Sequence, residues 1–245
     1  MPDRTPTPAA LRLEARIAGL LYLAIIAGAL FTPFAVAPTG MMRGDAALPT
    51  IAQIQAAGPL YALSGALQLI LGACDVAIAV IFYDLLKPVS RTWALMAMAF
   101  RLVFVAIANA DVLNHFAPLI ILSGAGQSGA PAQAQALAAL FIRLRTIGLD
   151  IALVFFGFHC LIAGGLIVRS TFLPRILGLL LAIGGVGYIA NISAAFLPPA
   201  IAPRIFPYIM LPAGLAEIVL ALWLLIFAVN TAKWRQQAGL PETLG

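Results

Sequence analysis

The stretch FFGFHCLIAGGLIVRSTFLPR, residues 155–175, decides the fold of this chain. It begins with fourteen residues of apolar character, 155–168, which only His159 and Cys160 interrupt, and it ends in a short turn with an arginine on each side. An apolar run that meets arginines at a tight turn is typical of a helix that crosses a lipid bilayer and turns back. Because an imidazole is costly in lipid, His159 is also the first candidate for a functional residue.

The composition of the whole chain agrees with a membrane protein. Of its 245 residues, 63% are hydrophobic and 9% are charged, and the mean hydropathy is +1.05. Soluble domains carry roughly 25% charged residues, so the surface of this chain is too apolar for water. Apolar segments of about 20 residues recur, and they lack the short alternation of a β-barrel strand. The sequence therefore predicts an all-α polytopic membrane protein.

Six apolar segments define the predicted helix bundle. We place the transmembrane helices at about residues 17–37, 60–86, 92–121, 137–168, 174–197 and 208–231. Residues 17–231 then form a single transmembrane domain between an N-terminal cytoplasmic segment, 1–16, and a cytoplasmic tail, 232–245. A signal peptide is the alternative for the first segment, because AVA at 35–37 resembles a cleavage site. The apolar run of about 18 residues exceeds the about 7–15 of a signal peptide, which favours a retained helix.

The charge distribution gives the orientation. The formal net charge of +5 suggests a nucleic-acid partner, but the basic residues lie singly or in pairs at segment ends, without interleaved aromatic residues. The positive-inside rule explains them better. With the N-terminus in the cytoplasm, nine of the fourteen Lys and Arg residues lie inside and two lie in outside loops. The inside residues are Arg4, Arg12, Arg16, Lys87, Arg91, Arg169, Arg175, Lys233 and Arg235, and the outside residues are Arg43 and Arg204.

Four ionisable residues from four predicted helices form the first candidate site, a buried polar network of Asp75, Arg101, His159 and Glu217. At 1.5 Å per residue the first three lie about 13–16 Å from the inner ends of their helices, and Glu217 lies close to the midplane. We expect Arg101 to bridge Asp75 and Glu217, with His159 at the neutral edge of the network. Three interpretations stay open: an ion-paired clamp that fixes helix packing, a binding or proton-relay site, and residues that never meet.

The second candidate site is an outer polar cluster near the opposite side of the membrane. Its members are Asp111, Asn114, His115, Asp150, Arg143 and Arg145. Asp111 and His115 are four residues apart and share one helix face. Two carboxylates and an imidazole suit a divalent metal or proton transfer. No HExxH or paired CxxC motif supports a metal site, so we favour a vestibule in which Arg143 or Arg145 neutralises Asp150.

No motif for covalent or cofactor chemistry is present. The chain has no GxSxG, and His159 and Cys160 are adjacent, so their side chains point about 100° apart on a helix. We therefore expect no catalytic residue, no metal and no cofactor. Small residues repeat every seven positions instead, at Gly65, Gly72 and Ala79 and at Gly178 and Gly185, and such stripes are typical of helices that pack closely in lipid.

Several segments resemble a known family. RIAGLLYL, YDLLKPVSRTWAL followed by AFRL, FLPRILG and LPAGLAEIVLALWLLIFAVN are similar to the membrane proteins grouped as domain-of-unknown-function family 4386, over about residues 16–230. The resemblance implies a six-helix bundle in a bacterial inner membrane, and it implies no activity. Arg101, Pro174, Arg175 and Glu217 lie where the family pattern places such residues. Members of the family often carry Glu where this chain has Gln68.

Two classes of function remain besides a structural or sensory subunit. The first is a non-enzymatic protein that binds or transports a small solute or protons through the polar interior of the bundle. The second is an intramembrane enzyme or metal- or cofactor-binding protein that uses Asp111, His115 and Asp150, or His159. The expected partners are the lipid bilayer, a small-molecule ligand and, where the chain forms a homo-oligomer, a second copy; no nucleic acid is expected.

Overall fold

The computed structural model describes residues 6–36, 50–128, 131–194 and 202–241, and within these ranges the only regular secondary structure is helical. The helices are α1 (Pro8–Val36), α2 (Ile51–Leu86), α3 (Arg91–Ala110), α4 (Val112–Ser128), α5 (Pro131–Arg169), α6 (Arg175–Ala194), α7 (Ala202–Ile226) and α8 (Thr231–Gln237). The prediction of an all-α fold is therefore confirmed. Arg4, Arg43 and the side chain of Arg204, on which the orientation partly rests, lie outside the described residues, as do residues 37 and 195–197 of the predicted helices.

The helices have the length and composition of a multi-pass membrane protein. Over the described ranges, four stretches are long and apolar enough to cross a bilayer: Pro8–Phe31, Ile51–Leu86, Arg91–Gly124 and Pro131–Arg169. A fifth is present if Leu211–Ile226 and Thr231–Gln237, which are bent by 103°, count as one broken span. Arg175–Asn191 is a shorter apolar helix. The count of six spans stays a prediction.

Two predicted helices are interrupted. The helix predicted at 60–86 begins earlier, at Ile51, but the helical backbone breaks at Gly58 just before Pro59, which has no N–H to donate. Thr50 caps the added turns, because its side chain accepts a hydrogen bond from the backbone of Gln53. The helix predicted at 92–121 is divided at Asp111 into α3 and α4. The predicted start at residue 60 thus coincides with the kink rather than with the end of the helix.

The predicted end of the last helix, residue 231, is wrong. The backbone of Ala228 adopts a left-handed conformation with φ 56°, which stops α7 at Ile226, and the side chain of Asn230 then accepts a hydrogen bond from the backbone of Lys233 to begin α8. Trp234 on α8 is buried, and its indole Nε1 donates to the carbonyl of Leu85 at 2.8 Å. α8 therefore folds across the end of α2 instead of continuing along the axis of α7.

Glycines bring α5 and α6 into backbone contact. A Cβ atom added to Gly157 would lie 2.8 Å from the carbonyl oxygen of Gly185, and one added to Gly164 would lie 2.5 Å from that of Gly178. The order of the contacts is reversed between the two helices, since the earlier glycine of α5 meets the later glycine of α6. The helices therefore form an antiparallel hairpin around the turn at residues 170–174. The prediction that Gly178 and Gly185 mediate close packing is confirmed.

Gly164 and Gly165 give a matched test of this contact. We expect Gly164→Ala to lower stability by about 1–3 kcal/mol, because a methyl group there overpacks two backbones that cannot separate freely. Gly165→Ala places its Cβ in open space, so we expect unchanged or slightly higher stability, since alanine favours a helix over glycine. Thermal unfolding of the purified variants in detergent measures both effects, and equal midpoints for the two variants would contradict the packing.

Candidate functional site

Arg101 is the centre of the buried polar network. Its side chain is 1% exposed, and it lies on the face of α3 that meets α2 and α5. Its Nε donates to Oδ1 of Asp75 at 2.6 Å, and its Nη2 is 2.5 Å from the same oxygen. Its Nη1 donates to Nε2 of His159 at 3.1 Å. The structure therefore brings Asp75, Arg101 and His159 together.

Three aromatic rings surround the same guanidinium. The Cζ atom of Arg101 is 4.9 Å from the ring centroid of Tyr22, 5.3 Å from that of Phe156 and 5.7 Å from that of Phe82. Aromatic faces attract a cation at these distances, most strongly where water is absent. Together with Asp75, the rings provide an arginine with a complete environment inside an apolar bundle. These three rings carry little signal in the sequence, because aromatic residues are ordinary in apolar helices.

His159 acts in this network as a neutral hydrogen-bond acceptor. Its Nδ1 is 2.9 Å from the carbonyl oxygen of Ala97, which only accepts, so we infer that Nδ1 carries the proton. Its Nε2 faces the Arg101 guanidinium, which only donates, so Nε2 carries none. An imidazole in this tautomer adds an acceptor for Arg101 without adding a second charge. Cys160, its neighbour in the sequence, is buried in the apolar core.

Glu217 does not form the expected bridge to Arg101. Its Oε1 accepts a hydrogen bond from the hydroxyl of Tyr188, which connects α7 to α6. Nε and Nη2 of Arg101 face Asp75 and Nη1 faces His159, so each of its nitrogens already has a partner other than Glu217. Tyr22 lies between the two groups, because its ring covers Arg101 and its hydroxyl interacts with Glu217. Tyr188 was missed, although a tyrosine in the middle of an apolar segment is a recognisable signal.

Asp111 and Arg145 form the centre of the outer polar cluster. Oδ1 of Asp111 accepts from Nδ2 of Asn114 at 2.6 Å, and Oδ2 is 3.8 Å from Nη1 of Arg145. Nη2 of Arg145 donates to Oε1 of Gln68 at 2.6 Å, and Nε2 of Gln68 donates to the carbonyl of Ala108 at 3.1 Å. Apart from the long contact with Asp111, Nη1 of Arg145 is buried without a hydrogen-bond partner.

Asp150 lies apart from this pair, which corrects the expected neutralisation by Arg143 or Arg145. Oδ1 of Asp150 accepts from Nδ2 of Asn191 on α6 at 2.9 Å. Positions 145 and 150 on α5 are rotated by about 140° from each other, so their side chains face different neighbours. Arg143 shares the face of Asp150, but it lies about 10 Å further along the axis and is exposed.

His115 is likewise separate from Asp111 and Asp150. Its Nε2 donates to the carbonyl of Tyr61 at 2.8 Å, and its ring stacks on that of Tyr61 with the centroids 3.9 Å apart. Its Nδ1 is buried without a partner. Among the residues that the structure describes, no group of three or more His, Cys, Asp or Glu side chains is placed to hold a metal ion. The structure therefore does not assemble the metal or catalytic set considered from the sequence.

A cavity of about 340 Å³ connects the two sites. It lies between α1, α2, α3 and α5, and along α2 it extends from Ser64 to Asp75, about 16 Å. Its polar wall consists of Ser64, Gln68, Asp75, Asn109 and Arg145. Its apolar wall consists of Ile25, Ala29, Leu71, Phe104, Val105, Ala108 and Leu149, with Gly28 and Gly72. A concave, mostly apolar space with a few polar groups is the usual form of a small-molecule site.

One comparison with known proteins identifies the family, and neither of the two matches gives an activity. The family model described as "Domain of unknown function (DUF4386)" matches residues 17–228, which include both polar sites and the cavity. A protein of Archaeoglobus fulgidus described as "Uncharacterized protein" is 27% identical over 167 residues, which are 68% of this chain and 83% of that protein. No solved structure matches the chain.

Because Arg101 and Asp75 form a buried ion pair, we expect the effects of substituting the two residues on stability to be strongly non-additive. We expect Arg101→Met to destabilise the protein by about 3–5 kcal/mol, because Asp75 is then a buried charge without a cation. Adding Asp75→Leu removes that charge, so the double variant should be more stable than Arg101→Met alone. Thermal unfolding in detergent measures the cycle, and Arg143→Gln, at an exposed arginine, is the control with no expected change. A double variant that is less stable than both single variants would contradict the pairing.

The two histidines of the chain are expected to hold opposite neutral tautomers. His159 should be protonated on Nδ1, which faces the Ala97 carbonyl, and His115 on Nε2, which faces the Tyr61 carbonyl. The ¹⁵N chemical shifts of protein labelled in its two histidines distinguish the tautomers, and His115→Gln assigns the signals. Two rings in the same tautomer would contradict the hydrogen bonding of one of them.

Proposed function

The chain belongs to the DUF4386 family, and we propose that it is a six-span membrane protein that binds a small amphipathic anion within its helix bundle. The observation that carries the proposal is the cavity between α1, α2, α3 and α5, whose wall contains a charged side chain from each of the two polar sites. The volume of about 340 Å³ lies within the range of about 300–1,000 Å³ that is usual for small-molecule sites.

The lengths and the ends of the helices support six spans with both termini on one side. α6 has 20 residues and α7 has 25, and at 1.5 Å per residue each covers the about 30 Å of a hydrocarbon core. Three contacts bring α8 to the ends of other helices: Trp234 to Leu85, Gln237 to the carbonyl of Arg169, and Arg235 to the carbonyl of Pro6. Most basic residues of the positive-inside count lie at that end, which we propose faces the cytoplasm of a bacterial inner membrane.

The charges in the cavity favour an anion. At one end, Asp75 is neutralised by two nitrogens of Arg101, so its charge is not available to attract a cation. At the other end, Arg145 is only partly neutralised, because Asp111 is 3.8 Å away, and its Nη1 has no hydrogen-bond partner. A buried donor without a partner costs free energy that a ligand oxygen recovers. A carboxylate at Arg145, with its hydrocarbon part along Leu71 and Phe104, therefore complements the wall.

Benzoate, an aromatic monocarboxylate, tests this proposal. We expect ¹⁴C-benzoate to bind the protein in nanodiscs above the level of protein-free nanodiscs, and benzamide, its neutral isostere, to compete poorly. Arg145→Gln should lower the affinity about 10- to 100-fold, because one charge-assisted hydrogen bond is lost. Gln68→Glu should lower it as well, since a carboxylate 2.6 Å from Nη2 would neutralise Arg145 while leaving the arginine in place.

Arg143→Gln is the matched control for these variants. Arg143 is on the same helix as Arg145 and has the same charge, but it is exposed and does not line the cavity. The Arg143→Gln variant should bind benzoate with the same affinity as the unmodified protein. An equal loss for Arg143→Gln and Arg145→Gln would show a general effect of positive charge. Equal binding of benzamide and benzoate would show that the cavity does not select an anion.

A further inference from the structure

A second cavity lies at the end of the bundle where α8 folds across it. Its volume is about 390 Å³, and it is formed by the start of α1, the turn at residues 170–174 and the bend between α7 and α8. Arg12 and Arg16 line one side, and Trp223 and Phe227 line another. It shares no lining residue with the cavity between α1, α2, α3 and α5.

The two arginines place a pair of positive charges at this cavity. They are four residues apart, so they project from the same face of α1 one turn from each other. Within the described ranges, neither side chain has a hydrogen bond or an ion pair to an acidic group, and no acidic residue lines the cavity. Glu14, which lies between them in the sequence, is on the opposite face of α1, where its charge is repelled by Asp84 and attracted by Lys87. The cavity therefore attracts an anion that none of the described residues supplies.

The aromatic side of the cavity is apolar and faces outward. The rings of Trp223 and Phe227 are 4.6 Å apart, and Phe227 is 63% exposed. The apolar surface continues along the helices, because Leu20, one turn after Arg16, is 58% exposed and Leu222 is 40% exposed. Tryptophan and arginine at the end of an apolar helix are typical of the headgroup level of a bilayer. The ligand must therefore combine an anionic group with an apolar part that extends toward the hydrocarbon.

We propose that this cavity binds the headgroup of an anionic phospholipid, with the phosphate on Arg12 and Arg16 and the glycerol and first acyl carbons on Trp223 and Phe227. Guanidinium groups suit phosphate because their N–H groups match its oxygens in pairs. A zwitterionic headgroup is disfavoured, because the described residues of the cavity wall include no carboxylate to pair with its ammonium group. The bound lipid would join α1, α7 and the turn before α6 at the membrane surface.

Native mass spectrometry of the detergent-purified protein tests the lipid. With equal concentrations of phosphatidylglycerol and phosphatidylcholine, we expect one phosphatidylglycerol to be retained preferentially. The double variant Arg12→Gln, Arg16→Gln should weaken this retention at least about tenfold, because each lost charged hydrogen bond is worth about a factor of ten or more. The double variant Arg169→Gln, Arg175→Gln removes the same charge at exposed positions beside the cavity and should retain the lipid.

Two further measurements separate the alternatives. Inorganic phosphate at the same concentration should not displace phosphatidylglycerol; displacement would show a free-phosphate site and overturn the lipid assignment. Phosphatidylglycerol with brominated acyl chains should quench tryptophan fluorescence more than the phosphatidylcholine analogue, and Trp223→Phe should remove this difference while leaving both arginines in place. Equal retention of the two lipids, equal losses in the two double variants, or quenching that does not depend on Trp223 would each overturn the proposal.

Discussion

The burial of one guanidinium in an apolar bundle is the constraint on which the rest of the structure depends. Arg101 cannot leave its donors unpaired in the absence of water, so a carboxylate, an imidazole and three aromatic rings surround it. These groups come from α1, α2 and α5, and Arg101 itself is on α3, so four helices are fixed at one point. A lipid-embedded bundle gains little from the hydrophobic effect between its helices, which makes such a polar contact a strong determinant of which helices are neighbours.

The close backbone contacts of α5 and α6 complete this arrangement from the other side. α5 carries His159 toward α3 on one face and the glycines Gly157 and Gly164 toward α6 on another. α6 in turn carries Tyr188 to Glu217 on α7. The carboxylate of Glu217 thus accepts a hydrogen bond from a tyrosine hydroxyl instead of pairing with a cation. Tyr22 separates it from the guanidinium of Arg101. The buried polar network therefore contains the Asp75–Arg101 ion pair and the Tyr188–Glu217 hydrogen bond. Tyr22 contacts both of them.

The sequence predicted the class of the fold and a common level for Asp75, Arg101 and His159, because both depend on position along a single helix. Hydropathy located the helical segments, and the 1.5 Å rise placed Asp75 and Arg101 at similar depth. The sequence did not predict that Glu217 pairs with Tyr188, because the position of a residue along its helix does not determine the order of helices around a bundle. The rotation between positions 145 and 150 was available from helical periodicity and already argued against their pairing. The bend after Ile226 could not be predicted from the sequence, because it depends on the left-handed backbone of Ala228, which has no sequence signature.

The difference between the two ends of the central cavity follows from single neutral residues. Asp75 faces a full cation, so its end of the cavity has no net charge. Arg145 faces the amide of Gln68 at hydrogen-bond distance and the carboxylate of Asp111 only at 3.8 Å, so much of its charge remains. A glutamate at position 68 would place a carboxylate at this distance and neutralise the arginine. Under the proposed anion binding, the residue at position 68 on α2 therefore determines whether this end of the cavity attracts an anion or is closed by an internal ion pair.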